Sequence, residues 1–119
     1  MKNTILFLSL LLAIGVKAQT RIEWQKSYGG SLWDQANAIR QTTDGGYVVA
    51  GYTESSDGDV GGNNGEQDYW IIKMDADGNI QWKEHFGGSA SDRAEEIEQT
   101  ADGGYIVVGH SLSADGDVS

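Results

Sequence analysis

The chain contains the stretch QTTDGGYVVAG at residues 41–51 and repeats it as QTADGGYIVVG at residues 99–109. Tyr47 thus recurs as Tyr105, 58 residues later, and residues 22–61 can be laid over residues 80–119 without a gap. About half of the paired positions are identical, and such self-similarity at a fixed period is the signature of repeat architectures. The sequence therefore predicts a repeat array, with units at residues 22–79 and 80–119.

Each unit is predicted to contain four short strands. The Asp-Gly-Gly at residues 44–46 suits a tight hairpin turn between a run at residues 36–41 and a strand at residues 47–53. Two more strands are predicted at residues 69–74 and 80–86, on either side of a turn. Residues 47–50 and 69–72, at the start of the second and third predicted strands, are apolar at consecutive positions. Both faces of these strands are therefore expected to be covered.

A β-propeller blade is a four-stranded sheet that buries both of its faces, because it packs against the blades before and after it. The predicted fold is therefore all-β, with four-stranded antiparallel blades of a propeller-type array, present as an incomplete fragment. A β-solenoid and a β-sandwich are the alternatives. Residues 91–99 have a helix-like pattern, but their position before a hairpin favours the innermost strand of a blade. The second unit stops within a loop, so further repeats of the same polypeptide are expected.

Residues 1–18 have the features of a signal peptide, namely Lys2, an apolar stretch at residues 5–16 and small residues up to Ala18. A dozen apolar residues reach only about 18 Å as a helix, short of a hydrocarbon core of about 30 Å. The mature chain, beginning near Gln19, is therefore expected to carry no membrane span. The predicted location is secreted or at the cell surface.

The formal net charge is −10, and the chain has no cysteine. No basic cluster is present that could neutralise phosphates, so nucleic acid is excluded as a partner. The lack of cysteine excludes disulfide support. Cations, carbohydrates and other proteins remain as possible partners.

The combined motif resembles repeats of large secreted propeller-like proteins of Bacteroidetes, which often end in a sorting domain for type IX secretion. The resemblance covers residues 22–119. It implies an exported or surface-displayed repeat protein, and endoglucanase-type labels on some relatives suggest a connection with carbohydrate. The motif consists of GGSxxDxA at residues 29–36, QTxDGGYxVxG at residues 41–51, SxDGDV at residues 55–60 and DYWIIKMDxxGNIQW at residues 68–82.

The long loop after the second strand and the link before the first strand are expected to share one rim of the blade. Loops on a rigid scaffold are the usual location of binding sites. An aromatic ring on an acidic rim could stack on a sugar while carboxylates accept its hydroxyl hydrogens. The predicted ligand-binding rim residues are Trp33, Asp34, Glu66 and Asp92.

The same loops offer oxygen ligands on a glycine-rich backbone, as calcium requires. The alternative is that the aspartates only form turns by bonding to nearby backbone amides. The predicted calcium ligands are Asp57, Asp59, Asn63, Asp68, Asp115 and Asp117.

The predicted function is an exported scaffold with a structural or binding role, such as adhesion or the binding of carbohydrate or protein, without catalysis in this segment. The alternative is part of a secreted glycoside hydrolase, which would need two rim carboxylates about 5 to 10 Å apart. The recurrence of the acids in both units favours a scaffold, because an active site is used once. His85 and His110 lack the spacing of zinc ligands.

Overall fold

The computed structural model describes residues 20–118, so the predicted signal peptide lies outside the described residues. The described chain is all-β, and it contains no helix long and apolar enough to cross a bilayer. One antiparallel sheet has four strands in the order β1-β2-β3-β4, and a second sheet is the antiparallel pair of β5 and β6. The strands are β1 Asp34–Gln41, β2 Tyr47–Thr53, β3 Asp68–Met74, β4 Ile80–Phe86, β5 Asp92–Gln99 and β6 Tyr105–Ser111, followed by a short 3-10 turn at Gly116–Val118.

The strand predictions are confirmed with small differences at the ends. Strands β2 and β4 have the predicted bounds, whereas β1 and β3 begin at Asp34 and Asp68, earlier than their apolar runs. Both extensions have one cause: Thr53, the last residue of β2, pairs with Asp34 on one side and with Asp68 on the other. The helix-like stretch at residues 91–99 is strand β5 from Asp92 onward, as its place before a hairpin predicted.

The two DGG turns have the same hydrogen bonds. The amide of Gly45 donates to the carbonyl of Thr42 at 2.9 Å, and the amide of Gly46 donates to the carboxylate of Asp44 at 3.0 Å. Gly45 has a φ of +84°, a backbone conformation that residues with a Cβ rarely adopt. The matching turn at residues 100–104 repeats these contacts, and its Gly103 has a φ of +86°.

The larger apolar cluster lies between the two sheets. One face of the first sheet provides Val48, Ala50 and Ile71, and these pack with Ala94 and Ile97 of β5. Three polar contacts hold β1 and the turn after it beside β5. In the first, the side chain of Asn37 donates a hydrogen bond to the carbonyl of Ala94 at 2.7 Å. The other two are the ion pair of Arg40 with Glu96 at 2.8 Å and the bond from the Thr43 amide to the Gln99 side chain at 2.9 Å.

A second cluster covers part of the opposite face of the first sheet. It contains Val60, Trp70, Ile72 and Met74, with the half-buried Tyr28 packed against them. The segment before β1 is held there by hydrogen bonds to the β3–β4 turn, such as the one from the Tyr28 hydroxyl to the carbonyl of Gly78. Both faces of the first sheet thus carry buried apolar side chains, as the consecutive apolar residues predicted.

Replacing Ile97 by alanine tests the cluster between the sheets. Ile97 is completely buried, whereas Ile39, which is 58 residues earlier, is 54% exposed. Truncating a fully buried isoleucine leaves a cavity, so Ile97→Ala should lower the free energy of unfolding by about 2–5 kcal/mol. Ile39→Ala is the matched control and should cost less than about 1 kcal/mol. Urea denaturation at low protein concentration measures both, and equal losses would contradict this packing.

Candidate functional site

The link before β1 and the loop after β2 are joined by the carboxylate of Asp34. This carboxylate accepts hydrogen bonds from the amide of Gly30 at 2.8 Å, the hydroxyl of Thr53 at 2.5 Å and the hydroxyl of Ser55 at 3.1 Å. Ser55 in turn accepts the amide of Leu32 at 2.9 Å. The two connections therefore share one rim, as predicted, and Asp34 holds them together.

Asp92 makes the same set of contacts 58 residues later. Its carboxylate accepts the amide of Gly88 at 2.8 Å, the hydroxyl of Ser111 and the hydroxyl of Ser113 at 2.7 Å. Burial raises the pKa of Asp92, but the hydrogen bonds from Ser111, Gly88 and Ser113 outweigh burial, and the pKa is lowered overall. The carboxylates of Asp34 and Asp92 are thus used within the fold, each binding a loop to its own sheet.

Asp57 and Asp59 close the same rim. Asp57 accepts the amide of Ser31 at 2.8 Å, and Asp59 accepts the amide of Gly29 at 3.2 Å. The backbone and hydroxyl of Ser31 lower the pKa of Asp57 because they stabilise its charged form. Gly58 between them has a φ of +61°, and a Cβ there would lie 2.5 Å from the carbonyl oxygen of Gly29.

Asp115 and Asp117 make equivalent contacts 58 residues later. Asp115 accepts the amide of Ser89 at 2.7 Å, and Asp117 accepts the amide of Gly87 at 3.3 Å. The pKa of Asp115 is likewise lowered by the backbone and hydroxyl of Ser89. Four of the predicted calcium ligands thus bind backbone amides.

The other two predicted calcium ligands lie further along the loop. The side chain of Asn63 donates to the carbonyl of Thr53 at 3.0 Å and accepts the amide of Gly65 at 2.7 Å, whereas Asp68 accepts the amide of Asn64 at 2.6 Å. Within residues 20–118, no three acidic or histidine side chains stand together in a group that could hold a metal ion. Calcium binding stays a prediction, with the backbone contacts as the structural role of these residues.

Asp68 has an unusual environment for a carboxylate. It is completely buried, and its Oδ1 has no hydrogen-bond partner. Burial is the main reason that its pKa is raised; the Asn64 amide and His85 oppose the shift, and the negative charges of Asp92 and Asp117 add to it. The buried oxygen therefore favours the protonated form of Asp68.

An open cleft of about 650 Å³ lies on the same rim. Its volume is within the range of about 300–1,000 Å³ that small-molecule sites occupy. Of the predicted rim residues, the structure places Glu66 in the cleft lining. The other lining residues are Leu32, Glu54, Gly65, Gln67, Ser91, Arg93 and Leu112.

Gln67 joins the two sheets within this cleft. Its side-chain oxygen accepts the hydroxyl of Ser91 and the Nε of Arg93, both at 2.5 Å, and its side-chain nitrogen donates to Glu54 at 2.6 Å. The guanidinium of Arg93 also lies 4.7 Å from the centre of the Tyr52 ring, within the range of a cation–π contact. These polar groups are held in place before any ligand arrives.

Trp33 is 63% exposed, next in sequence to Leu32 of the cleft. Its carbonyl accepts the amide of Glu54 at 2.8 Å, which fixes its backbone to the rim. The sequence prediction included Trp33 and Glu66 but missed Glu54, Gln67 and Arg93. The recurrence of Ser55 as Ser113, and of a hydroxyl at Thr53 and Ser111, is the sequence signal that could have identified the hydroxyl partners of the aspartates in advance.

Comparison of the chain with protein-family models, with curated proteins and with solved structures found no match.

Changing Asp68 to asparagine tests its protonation. A raised pKa means that the folded state holds the proton more tightly, so the contribution of Asp68 is most favourable below the ordinary pKa of 3.8 and is lost as pH rises through its folded pKa. Asp68→Asn should therefore raise the free energy of unfolding at pH 7 by about 1–2 kcal/mol. This gain should shrink as the pH falls toward 3.8. Denaturation at several pH values, with a chelator present, measures it.

Asp92→Asn is the matched control and should have the opposite sign. Since the pKa of Asp92 is lowered, its charged form stabilises the fold above pH 3.8, and that contribution disappears as pH falls through its folded pKa. The variant should be destabilised at pH 7. A loss of stability in Asp68→Asn at neutral pH would contradict the raised pKa of Asp68.

Proposed function

We propose that the chain is a segment of an exported or cell-surface scaffold built from propeller-type blades, with a binding role and no catalysis. The observation that supports it most is a pair of equivalent ring contacts. Trp82 of β4 packs edge-on against Tyr105 of the second sheet, with ring centres 5.5 Å apart. Trp24 packs in the same way against Tyr47 of the first sheet at 6.1 Å, and both residues are 58 positions earlier.

The segment around Trp24 therefore contacts the first sheet in the same way as β4 contacts the second sheet. In a propeller, the outer strand of one blade lies beside the next blade, and this relation recurs at every blade. The aspartate contacts recur at the same spacing, at Asp34 and Asp92 and at Asp57 and Asp115. We therefore propose residues 22–79 and 80–119 as successive units, with further units belonging to the same polypeptide.

The rim cleft is the proposed binding site, and carbohydrate is the proposed ligand class. Glu54, Gln67 and Arg93 supply acceptors and donors in fixed positions. Sugar hydroxyls need both kinds of partner, and an exposed aromatic ring such as Trp33 provides the flat apolar surface on which a pyranose stacks. Asp34 and Asp92 have a supporting role in this proposal, since they hold the rim loops.

Binding is tested by screening the purified chain against a glycan array and titrating any binder by calorimetry. Trp33→Ala and Glu66→Gln should each weaken binding at least about tenfold, which corresponds to about 1.4 kcal/mol. Both residues are exposed, so the melting temperature should stay within about 2 °C of the parent chain. Glu84→Gln is the matched control for Glu66→Gln, because Glu84 is exposed on β4 outside the cleft lining, and it should leave the affinity unchanged. Equal affinity in all three variants would place the ligand elsewhere.

Calcium binding by the loop at residues 54–68 is a separate part of the proposal. Carboxylates that already bind amides can also coordinate an ion through their other oxygen lone pairs. A bound ion stabilises the folded state in proportion to the logarithm of its concentration. The melting temperature should therefore rise with calcium and fall with a chelator, and Asp57→Asn should reduce the rise. An identical midpoint in calcium and in chelator would exclude the ion.

A further inference from the structure

Two apolar faces of the described chain lie open, and their residues correspond to the two sides of the contact between the sheets. The first open face is the outer side of the β5–β6 hairpin, where Ile106 and Val108 are each 57% exposed. The residues 58 positions earlier are Val48 and Ala50, and both are completely buried between the sheets. The hairpin therefore presents the surface that the first sheet uses to pack on the second.

The second open face is a groove of about 230 Å³ on the first sheet. It is lined by Ile39 and Val49, and Ile39 is 54% exposed. The residues 58 positions later are Ile97 and Val107, and these form the side of the second sheet that receives Val48. The groove therefore presents the surface that the second sheet uses to receive the first.

Trp24 marks the outer end of the groove. It lines the groove and packs on Tyr47, in the way that Trp82 packs on Tyr105 beside the existing interface. The inner end is bounded by β1, whose counterpart β5 makes the polar contacts between the sheets. The groove is therefore bounded by an aromatic pair and a strand that correspond to those at the existing contact between the sheets.

We infer that the chain binds a second copy of itself head to tail, with the β5–β6 hairpin of one copy in the groove of the next. A second copy is the occupant that carries both contacting surfaces, and equivalent surfaces already pack against each other once within the chain. The contact is heterologous, since each copy uses a different face. A heterologous contact continues into a ring or an open chain of copies. This inference rests on the proposed repeat, because it matches the two faces through residues 58 positions apart, and it is independent of the proposed ligand.

The mass of the purified chain in solution tests the inference. The predicted signal peptide is removed by export, and the mass is measured by size exclusion with light scattering over a range of concentrations. Physiological salt is used because removing Lys2 and Lys17 with the signal peptide changes the formal net charge of each copy from −10 to −12, and this charge opposes association at low ionic strength. The mass should rise with concentration to at least about twice that of the monomer.

Two charge substitutions separate the two faces. Ile39→Asp spoils the groove and keeps the hairpin, whereas Ile106→Asp spoils the hairpin and keeps the groove. Both residues are exposed, so each variant should fold and remain a monomer, with an unchanged circular dichroism spectrum. An equimolar mixture should form a dimer and nothing larger, because one good face of each kind remains. Leu112→Asp is the control, since Leu112 is 72% exposed in the rim cleft and should not affect the mass.

A parent chain that stays monomeric at every concentration overturns the inference, and this is also the result expected if other units of a longer polypeptide are the only partners of these faces. A mixture of the two variants that stays monomeric overturns it as well. Association of both single variants at the parent level would assign the contact to another surface. None of these outcomes depends on the glycan titration, so the two proposals can fail separately.

Discussion

Strands β2 and β3 are apolar on both faces, and this constraint shapes everything else in the described chain. A strand of this kind is stable only between two packed layers. One layer is the β5–β6 hairpin, which buries Val48, Ala50 and Ile71. The other is partial and consists of Val60 with the segment around Tyr28. The incomplete cover leaves an apolar groove, and the same incompleteness on the far side of the hairpin exposes its matching surface.

The acidic residues hold the loops of the rim together through hydrogen bonds. Asp34, Asp57 and Asp59 use their carboxylates to hold the link before β1 against the loop after β2. Charge-assisted hydrogen bonds of this type are about twice as strong as neutral ones. These hydrogen bonds fix the shape of a rim built from glycine-rich loops. The polar groups of the cleft around Gln67 are therefore already ordered, which lowers the entropy cost of the proposed binding.

Much of this fold could be predicted from the sequence, because local signals specified it. The turn at residues 42–46 and the bounds of β2 follow from glycine, aspartate and consecutive apolar residues. The role of Gln67 could not be predicted, because it depends on where β5 lies and because Gln67 falls outside the two stretches that repeat. The cation–π contact of Arg93 was hidden for a related reason: its counterpart in the first unit is Gln35, so the repeat pattern predicted no charge there.

We infer one packing arrangement, in which each sheet contacts its neighbour through equivalent residues. Proton NMR of the folded chain tests it directly through nuclear Overhauser contacts between aromatic rings. We expect contacts between Trp82 and Tyr105, and between Trp24 and Tyr47, since their ring centres are 5.5 and 6.1 Å apart. A well-folded chain that showed contacts within each sheet but neither of these two ring pairs would disprove this packing.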